Sequence, residues 1–388
     1  MRVAFYAPLK APDHPVPSGD RAIAGLLLAA LERAGATRGW EVDVASRFRS
    51  FDGAGDADRQ ARLREIGARI ADRLLHRYRE VPVRRRPDLW FTYHLYHKAP
   101  DWIGPVVSER LGIPYLVAEA SHAPKRARGR WRHGHRAVAA ALARADRVIT
   151  LNPDDVPGLE RLLGERAPIV RLAPFLDLNA VAPPGSRVRR RARIARLACA
   201  NPSAPLLACV AMVRRGRKAD SFRLLARALE RITHVPWHLL VVGDGSARAE
   251  VEAAFGRLRA AGRVTFLGSR SLPALHGIVG ACDLFVWPAI GEPLGMAMLE
   301  AQALGVPVIA GDARGVGAVV AHGKGGWLVP ESDEAAFADA VERALADPAT
   351  LAAAGAAARD RVLAEHGIET AARRLDQWIG EAVAATGR

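Results

Sequence analysis

The sequence contains few cysteines, few aromatic residues and no long hydrophobic run. Its three cysteines, Cys199, Cys209 and Cys282, are odd in number and lack metal-ligand spacing, so we expect buried, reduced thiols. The longest apolar run, residues 22–31, is shorter than the roughly 20 apolar residues that span a bilayer. Residues 1–6 lack the basic and then apolar layout of a secretory signal, so we expect a cytoplasmic protein.

Acidic residues are also in deficit, because 41 acidic side chains stand against 56 Lys and Arg, giving a net charge of +15. The densest basic runs are residues 84–86, 125–136 and 187–196. Such runs predict a polyanionic partner, which is a nucleic acid, the anionic inner face of a membrane or a diphosphate substrate, unless they are merely solvated surface. Only Trp131 interleaves them and no nucleic-acid-binding motif accompanies them, so nucleic acid is the least favoured partner.

Short apolar runs alternate with helical periodicity along the whole chain. Six of these runs lie between residues 3 and 172, and six more lie between residues 206 and 329. A linker rich in Pro and Gly, residues 181–186, separates the two sets. We therefore expect an α/β protein with two doubly wound Rossmann-like domains, residues 1–180 and 187–366, that face each other across a cleft. Residues 367–388 should form a final helix that packs back on the first domain.

Residues 292–300 place two carboxylates eight positions apart in the sequence Glu-Pro-Leu-Gly-Met-Ala-Met-Leu-Glu. A helix that begins at about Pro293 and ends at Gly305 would put Glu300 about two turns in, on an apolar surface where a carboxylate needs a partner. The carboxylates would lie on the order of 12 Å apart along the helix axis. Between them would lie the free amides of the helix start, those of Leu294, Gly295 and Met296.

Free amides at a helix start bind phosphate, so this pattern is typical of a site for a sugar, two phosphates and a ribose. The alternative is that Glu292 complements the helix dipole and that Glu300 is a solvated charge.

From residue 206 to 345 the chain resembles the retaining glycosyltransferases of family 4, which have the two-domain GT-B fold. The resemblance rests on Val-Val-Gly-Asp-Gly at 241–245, Val-Thr-Phe-Leu-Gly at 264–268, the pair of glutamates, and Gly-Val-Pro-Val-Ile at 305–309. It implies a C-terminal domain that binds the nucleotide-sugar donor and an N-terminal domain that binds the acceptor. It also implies that Glu292 binds the donor sugar and Glu300 the nucleotide ribose, with Gly243 near the donor.

The same resemblance places an Arg and a Lys on the donor diphosphate, in the loop after the first strand of the second domain. Lys218 fits the Lys position. The usual Arg position holds Met212 or Val213, so the resemblance points to Arg214 instead, with Arg215 and Arg217 as alternatives.

The first domain matches this family less closely. Where a Gly pair is usual, the chain has Ser18-Gly19-Asp20, and Gly19 either admits the donor phosphate or simply starts a helix. Where many members place a histidine near the reacting centre, residues 118–122 offer His122 or Glu119. His94 and His97 are further candidates.

We therefore expect a retaining glycosyltransferase that moves a sugar from a nucleoside diphosphate to an acceptor hydroxyl, in glycan or glycolipid synthesis. It needs no metal or cofactor, since the Asp56-Ala57-Asp58 sequence reads as a surface loop. Catalytic roles fall to Glu292, Lys218, Arg214 and His122. The alternatives are a sugar-nucleotide epimerase of the same fold and a non-catalytic polyanion-binding protein.

Overall fold

The computed structural model describes residues 1–16, 18–181, 186–198, 200–201 and 203–386. Cys199 and residues 182–185 of the predicted linker therefore lie outside the described residues. The chain divides into two units, one formed by Met1–Ala173 with Ile368–Arg388 and the other by Pro174–Gly367. Residues 174–180, predicted to end the first domain, thus belong to the second unit, where the Leu176 N–H donates to the His366 carbonyl at 2.9 Å.

The first unit contains a six-stranded parallel sheet in the order β2-β1-β3-β4-β5-β6. Its elements are β1 (Arg2–Tyr6), α1 (Gly19–Arg38), β2 (Glu41–Ser46), α2 (Ala57–Glu80), β3 (Leu89–Leu95), α3 (Gly104–Leu111), β4 (Tyr115–Ala120), α4 (Arg132–Arg144), β5 (Arg147–Thr150), α5 (Val156–Leu163) and β6 (Ile169–Arg171). The central strands are almost entirely buried, as expected where helices cover both faces of a parallel sheet.

The second unit contains another six-stranded parallel sheet, in the order β12-β11-β10-β7-β8-β9. Its elements are α6 (Arg187–Leu197), β7 (Leu206–Val210), α7 (Arg217–Arg231), β8 (His238–Val242), α8 (Arg248–Ala254), α9 (Gly256–Ala260), β9 (Val264–Gly268), α10 (Leu272–Val279), β10 (Leu284–Trp287), α11 (Met296–Ala303), β11 (Val308–Asp312), β12 (Gly326–Pro330), α12 (Glu334–Ala346) and α13 (Pro348–Glu365). Cys209 and Cys282 are buried free thiols in this unit, and burial raises the pKa of both.

The last helix, α14 (Ile368–Ala385), belongs to the first unit and packs against α1. Its apolar face is buried, with Leu375 fully covered. Ion pairs on either side of this face, Arg38–Asp376 at 3.2 Å and Arg147–Glu381 at 2.7 Å, join it to α1 and β5. The chain therefore returns to its first unit to complete that unit's core.

Each sheet reverses its strand order at one point. In the first unit this point lies between β1 and β3, and in the second between β7 and β10. Loops that leave neighbouring strands in opposite directions open a crevice at the carboxyl ends of the strands, which is where ligands of such sheets bind. The two reversal points therefore mark where a site is to be sought in each unit.

Candidate active site

At the reversal point of the second unit, Lys218 at the start of α7 meets Glu292 in the loop after β10. The Lys218 ammonium donates to the Glu292 carboxylate, which also accepts the indole N–H of Trp287 at 3.2 Å. The ammonium lies 5.2 Å from the centre of the Trp287 ring. Only 12% of the Glu292 side chain and 28% of the Lys218 side chain are exposed. The sequence predicted both residues, and the structure brings them together with an indole that it did not predict.

The structure brings Arg217 to this loop. A Cβ atom added to Gly291, the residue before Glu292, would lie 2.4 Å from the Arg217 guanidinium. The Arg217 side chain therefore covers the Gly291 backbone. Arg214 and Arg217 are both exposed, and the Arg214 N–H donates to the Met212 carbonyl at 3.0 Å within its own loop. Of the two, the closeness to Gly291 therefore favours Arg217 as the residue nearer to Glu292.

The helix after Glu292 begins later than the sequence predicts. It starts at Met296, with Gly295 as its N-cap at φ 75°, because Leu294 and Gly295 belong to an irregular turn in which Leu294 is buried. The Met298 N–H donates to the Gly295 carbonyl at 2.9 Å. The amides without an intrahelical acceptor are therefore those of Met296 and Ala297, and those of Leu294 and Gly295 precede the helix.

Glu300 lies one turn into α11, nearer the helix start than predicted, and beside a histidine that the sequence analysis missed. The His276 Nε2 lies 3.9 Å from the Glu300 carboxylate, and the His276 side chain is only 2% exposed. Neither ring nitrogen of His276 has a hydrogen-bond partner within the described part of the chain. This buried imidazole beside a predicted ligand-binding carboxylate therefore joins the candidate site, although a lone His in an apolar helix gave no signal in the sequence.

A buried polar network holds the other face of α11. The amide of Gln302 donates to the Val319 carbonyl at 2.9 Å, and its oxygen accepts from Arg361 at 3.2 Å. Arg361 in turn lies 2.9 Å from His366. These bonds fix the helix that carries Glu300, since every partner is part of the same unit.

Gly243 has a structural reason to be glycine. Its φ is 144°, and an added Cβ would lie 1.9 Å from the Ala211 carbonyl oxygen. The next residue accepts from the loop after β7, since the Val213 N–H donates to the Asp244 carbonyl at 3.1 Å. The turn after β8 thereby supports the basic loop that leads to Lys218, and the predicted contact of Gly243 with the donor stays a prediction.

In the first unit, Gly19 is the first residue of α1, and the Ser18 hydroxyl caps the helix by accepting from the Arg21 N–H at 3.3 Å. An added Cβ on Gly19 would meet nothing within 4 Å. Its neighbour Asp20 lies 3.3 Å from His94, which has φ 64° at the end of β3. The structure thus joins the loops after β1 and β3 at the reversal point, with open space at Gly19.

The two candidates after β4 have different surroundings. Glu119, at φ 57°, uses its carboxylate to accept the N–H groups of Leu151 and Asn152, so it ties two strand ends together. The His122 ring stacks on His135 with centroids 4.6 Å apart, and its Nδ1 has no hydrogen-bond partner among the described residues. Burial, and then the neighbouring His135, lowers the pKa of His122. His122 is therefore the one of the two whose ring keeps an unpartnered nitrogen, and that nitrogen is buried.

His97 lies next to Trp131, at 5.6 Å between ring centroids. Burial, and then the charges of Arg126 and Lys98, lowers the pKa of His97 to about 4. The cations of Lys98 and Arg126 each lie 4.9 Å from the centre of the Trp131 ring. This neutral imidazole is thus surrounded by an aromatic ring and two cations.

Comparison with known proteins bears on both the fold and the second unit. Residues 204–347 match the family of group 1 glycosyl transferases. Over 99% of its length the chain also resembles sucrose-phosphate synthase from Thermosynechococcus elongatus, with a TM-score of 0.72, 22% identity and all of that structure covered. The fold is that of GT-B glycosyltransferases, which confirms the predicted α/β class with two six-stranded parallel sheets.

Two curated relatives of this GT-B chain match it in part. D-inositol 3-phosphate glycosyltransferase of Rhodococcus erythropolis is 28% identical over 289 residues, which are 69% of this chain and 63% of the relative. GDP-mannose-dependent alpha-(1-6)-phosphatidylinositol monomannoside mannosyltransferase of Mycolicibacterium smegmatis is 32% identical over 228 residues, 56% of this chain and 57% of the relative. The chain thus spans less than two thirds of the length of these relatives.

Proposed function

We propose that this protein is a retaining glycosyltransferase of family 4 that moves a sugar from a nucleoside diphosphate to an acceptor hydroxyl without a metal or cofactor. The observation that carries the proposal is the cluster of Lys218, Glu292 and Trp287 at the reversal point of the second sheet. This cluster lies between β7 and the start of α11, where a diphosphate finds a cation and free amides together.

The leaving diphosphate determines what the site must do. Negative charge grows on its bridging oxygen as the glycosidic bond breaks, and fixed positive groups lower the energy of that state. Lys218 and Arg217 supply cations, Arg214 adds a third on the exposed loop, and the amides of Met296 and Ala297 supply helix-terminal dipoles. Lys218 would divide its hydrogen bonds between Glu292 and the donor, since an ammonium has three N–H donors.

The two glutamates bind hydroxyl groups on either side of the diphosphate. Glu292 accepts from the sugar hydroxyls and Glu300 from the ribose hydroxyls. Glu292 is held by Lys218 and by the Trp287 indole, while the Glu300 carboxylate lies 3.9 Å from the His276 Nε2. The Glu292 carboxylate is therefore oriented before the donor arrives, which reduces the entropy lost on binding.

Retention of configuration follows from attack on the same face of the sugar, with a donor phosphate oxygen taking the acceptor proton. No protein nucleophile is required in this scheme. We assign His122, two residues after β4, a place near the acceptor. The relatives named for an inositol phosphate and for a phosphatidylinositol mannoside favour a phosphorylated polyol or its lipid as acceptor, in glycolipid synthesis.

The charge of +15 supports work at an anionic membrane surface, from the cytoplasmic side. Among the described residues, no helix is both long and apolar enough to cross a bilayer.

The proposal is tested first by donor binding. Thermal unfolding is measured with nucleoside diphosphates and their sugars, for the wild type, Glu300→Gln and Glu109→Gln, an exposed control on α3. A ligand at 100 times its dissociation constant adds about 2.7 kcal/mol, so one base should raise the Tm of the wild type and the control. Glu300→Gln should lose most of that gain. No response to any nucleotide, or an equal response in all three proteins, contradicts the donor site.

A second experiment separates transfer from epimerisation. The preferred donor is incubated with and without acceptors of the polyol phosphate class, and nucleoside diphosphate release is followed together with the anomeric configuration of the product. Release that needs the acceptor, with configuration retained and no effect of a chelator, supports the proposal. Conversion of the donor to its epimer without acceptor would instead identify the protein as a sugar-nucleotide epimerase.

A further inference from the structure

Helix α6 is the most basic element of the second unit. Six of its 11 residues are arginine and none is acidic. Two of the six fasten the helix to its unit, since Arg187 donates to the Cys282 carbonyl at 2.9 Å and Arg191 to Asp283 at 2.5 Å. Ile194 and Ala195 are buried on the same side of the helix as these two arginines. The helix is thus fixed in one orientation, and the remaining charge is displayed in a fixed direction.

Three arginines point away from the unit. Arg189, Arg193 and Arg196 are exposed and are spaced four and three residues apart, so they form one row along the helix. Leu197 lies beside the end of the row and is 69% exposed, whereas Val188, 76% exposed, lies nine residues away on the opposite side of the helix. These are unusually large exposures for aliphatic side chains on a structured helix.

A groove continues this surface toward α10. It has a volume of about 540 Å³, and its walls include Leu197, Pro273, Ala274 and Ile278. Arg193 and Arg270 lie at its rim, and Leu272 beside it is 50% exposed. The row, Leu197, Leu272 and this groove together are called the α6–α10 surface.

We propose that the α6–α10 surface binds the headgroups of an anionic phospholipid bilayer, with Leu197 and Leu272 entering the interface between headgroups and acyl chains. The arginine row complements the phosphate charge, and the aliphatic side chains are positioned to leave water at the same time. A nucleic acid would use the charge but not these side chains. Neither α6 nor residues 270–278 carry a Phe, Trp or Tyr on which a base could stack.

This inference deepens the proposed function by locating the membrane contact, but it is tested without sugar transfer. The full chain is sedimented with vesicles of phosphatidylcholine alone or of equal parts phosphatidylcholine and phosphatidylglycerol. Binding is expected only to the second kind, and it should weaken as salt is raised. Loss of donor binding would leave this result unchanged, so the two proposals can fail separately.

The decisive variant is Arg189→Gln/Arg193→Gln/Arg196→Gln. Each arginine near an anionic surface contributes about a five-fold factor, so the partition coefficient should fall about 100-fold. Its matched control is Arg62→Gln/Arg69→Gln/Arg73→Gln on exposed positions of α2, which removes the same three charges and should change binding less than about two-fold. The corresponding Lys triple on α6 should retain binding, which excludes misfolding as the cause.

The aliphatic part is tested by Leu197→Gln/Leu272→Gln, which should weaken vesicle binding about ten-fold, against Val83→Gln/Val188→Gln, two exposed positions off the α6–α10 surface. Equal losses in the two arginine triples would reduce the effect to net charge and overturn the proposal. A wild type that ignores anionic vesicles overturns it as well. Displacement of the protein from vesicles by a short single-stranded oligonucleotide at equal phosphate concentration would also overturn the proposal.

Discussion

Replacing Lys218 by methionine removes the cation that neutralises Glu292 and keeps most of the side-chain volume. Glu292 then holds its charge with one remaining side-chain hydrogen bond, from the Trp287 indole at 3.2 Å. Replacing Glu292 by glutamine instead leaves Lys218 without its anion but over the Trp287 ring. The double variant removes both charges together. Since each single change leaves an unmatched charge and the double change does not, the effects on stability should not add.

The size of this coupling follows from exposure. Breaking a fully buried ion pair costs about 3–5 kcal/mol, whereas an exposed pair contributes about 0–1 kcal/mol. Here the Glu292 side chain is 12% exposed and the Lys218 side chain 28% exposed, so water screens the pair in part. We expect a coupling free energy of about 1–2 kcal/mol between the two substitutions.

The assay is a double-mutant cycle on the free energy of unfolding in urea, followed by tryptophan fluorescence. A control cycle uses Arg223→Met and Glu250→Gln in the same unit, where the side chains are 40% and 39% exposed and the coupling should stay below about 0.5 kcal/mol. Additive effects in the Lys218 cycle, or equal coupling in the two cycles, would refute the argument that burial at the reversal point makes this pair special.

Three further predictions concern glycine and histidine positions. Gly243→Ala should destabilise the protein by about 3 kcal/mol or more, because of its positive φ and the Ala211 carbonyl, whereas Gly19→Ala should be neutral or slightly stabilising. His276→Leu should leave the free energy of unfolding nearly unchanged and weaken donor binding, because a leucine needs no hydrogen bond but offers the bound donor no polar group beside Glu300. Because the pKa of His97 is lowered from 6.5 to about 4, the unfolded chain takes up a proton in that window and the folded chain does not. Stability should therefore fall as pH falls from 6.5 toward 4, and His97→Gln should remove on the order of 1 kcal/mol of that loss at pH 5.

Each of these has its own measurement. Urea unfolding compares Gly243→Ala with Gly19→Ala, and a loss of donor turnover in Gly19→Ala without loss of stability would favour close approach of the phosphate there. Titration of folded His276→Leu with the donor separates an effect on donor affinity from an effect on stability. An unchanged donor affinity would remove His276 from the candidate site. Unfolding at pH 7, 6 and 5 compares His97→Gln with His133→Gln, an exposed control on α4, and parallel curves would contradict the shifted pKa.

Local sequence patterns predicted the secondary structure where one force dominates. The predicted alternation of apolar runs and helical stretches appears as elements such as β7 at 206–210 and α12 at 334–346, because burial in a layered α/β fold imposes these periods. The start of α11 was predicted three residues early. Pro293 is a good first helical residue, but the chain uses 293–295 to turn, with Gly295 at positive φ, before the helix begins.

The candidate site residues also divide into those that the sequence predicts and those that only the packing distinguishes. Lys218, Glu292 and Glu300 were predicted from spacing and resemblance, and these roles stay predictions. Arg217 was ranked below Arg214 because adjacent arginines in a loop look alike, and only the packing over Gly291 distinguishes them. Gly243 was assigned to the donor, but the clash that an added Cβ would make with the Ala211 carbonyl shows why the backbone itself requires glycine there.

By itself the sequence determined the alternation of strands and helices, the two sets of six, and the carboxylates on either side of a helix start, because these depend on neighbours along the chain. Strand order decided the rest. Placing β10 beside β7 brings Glu292 to Lys218 across 74 positions and sets His276 against Glu300. Contacts between residues so distant in sequence arise when the sheet buries its apolar strands, and no local period encodes them.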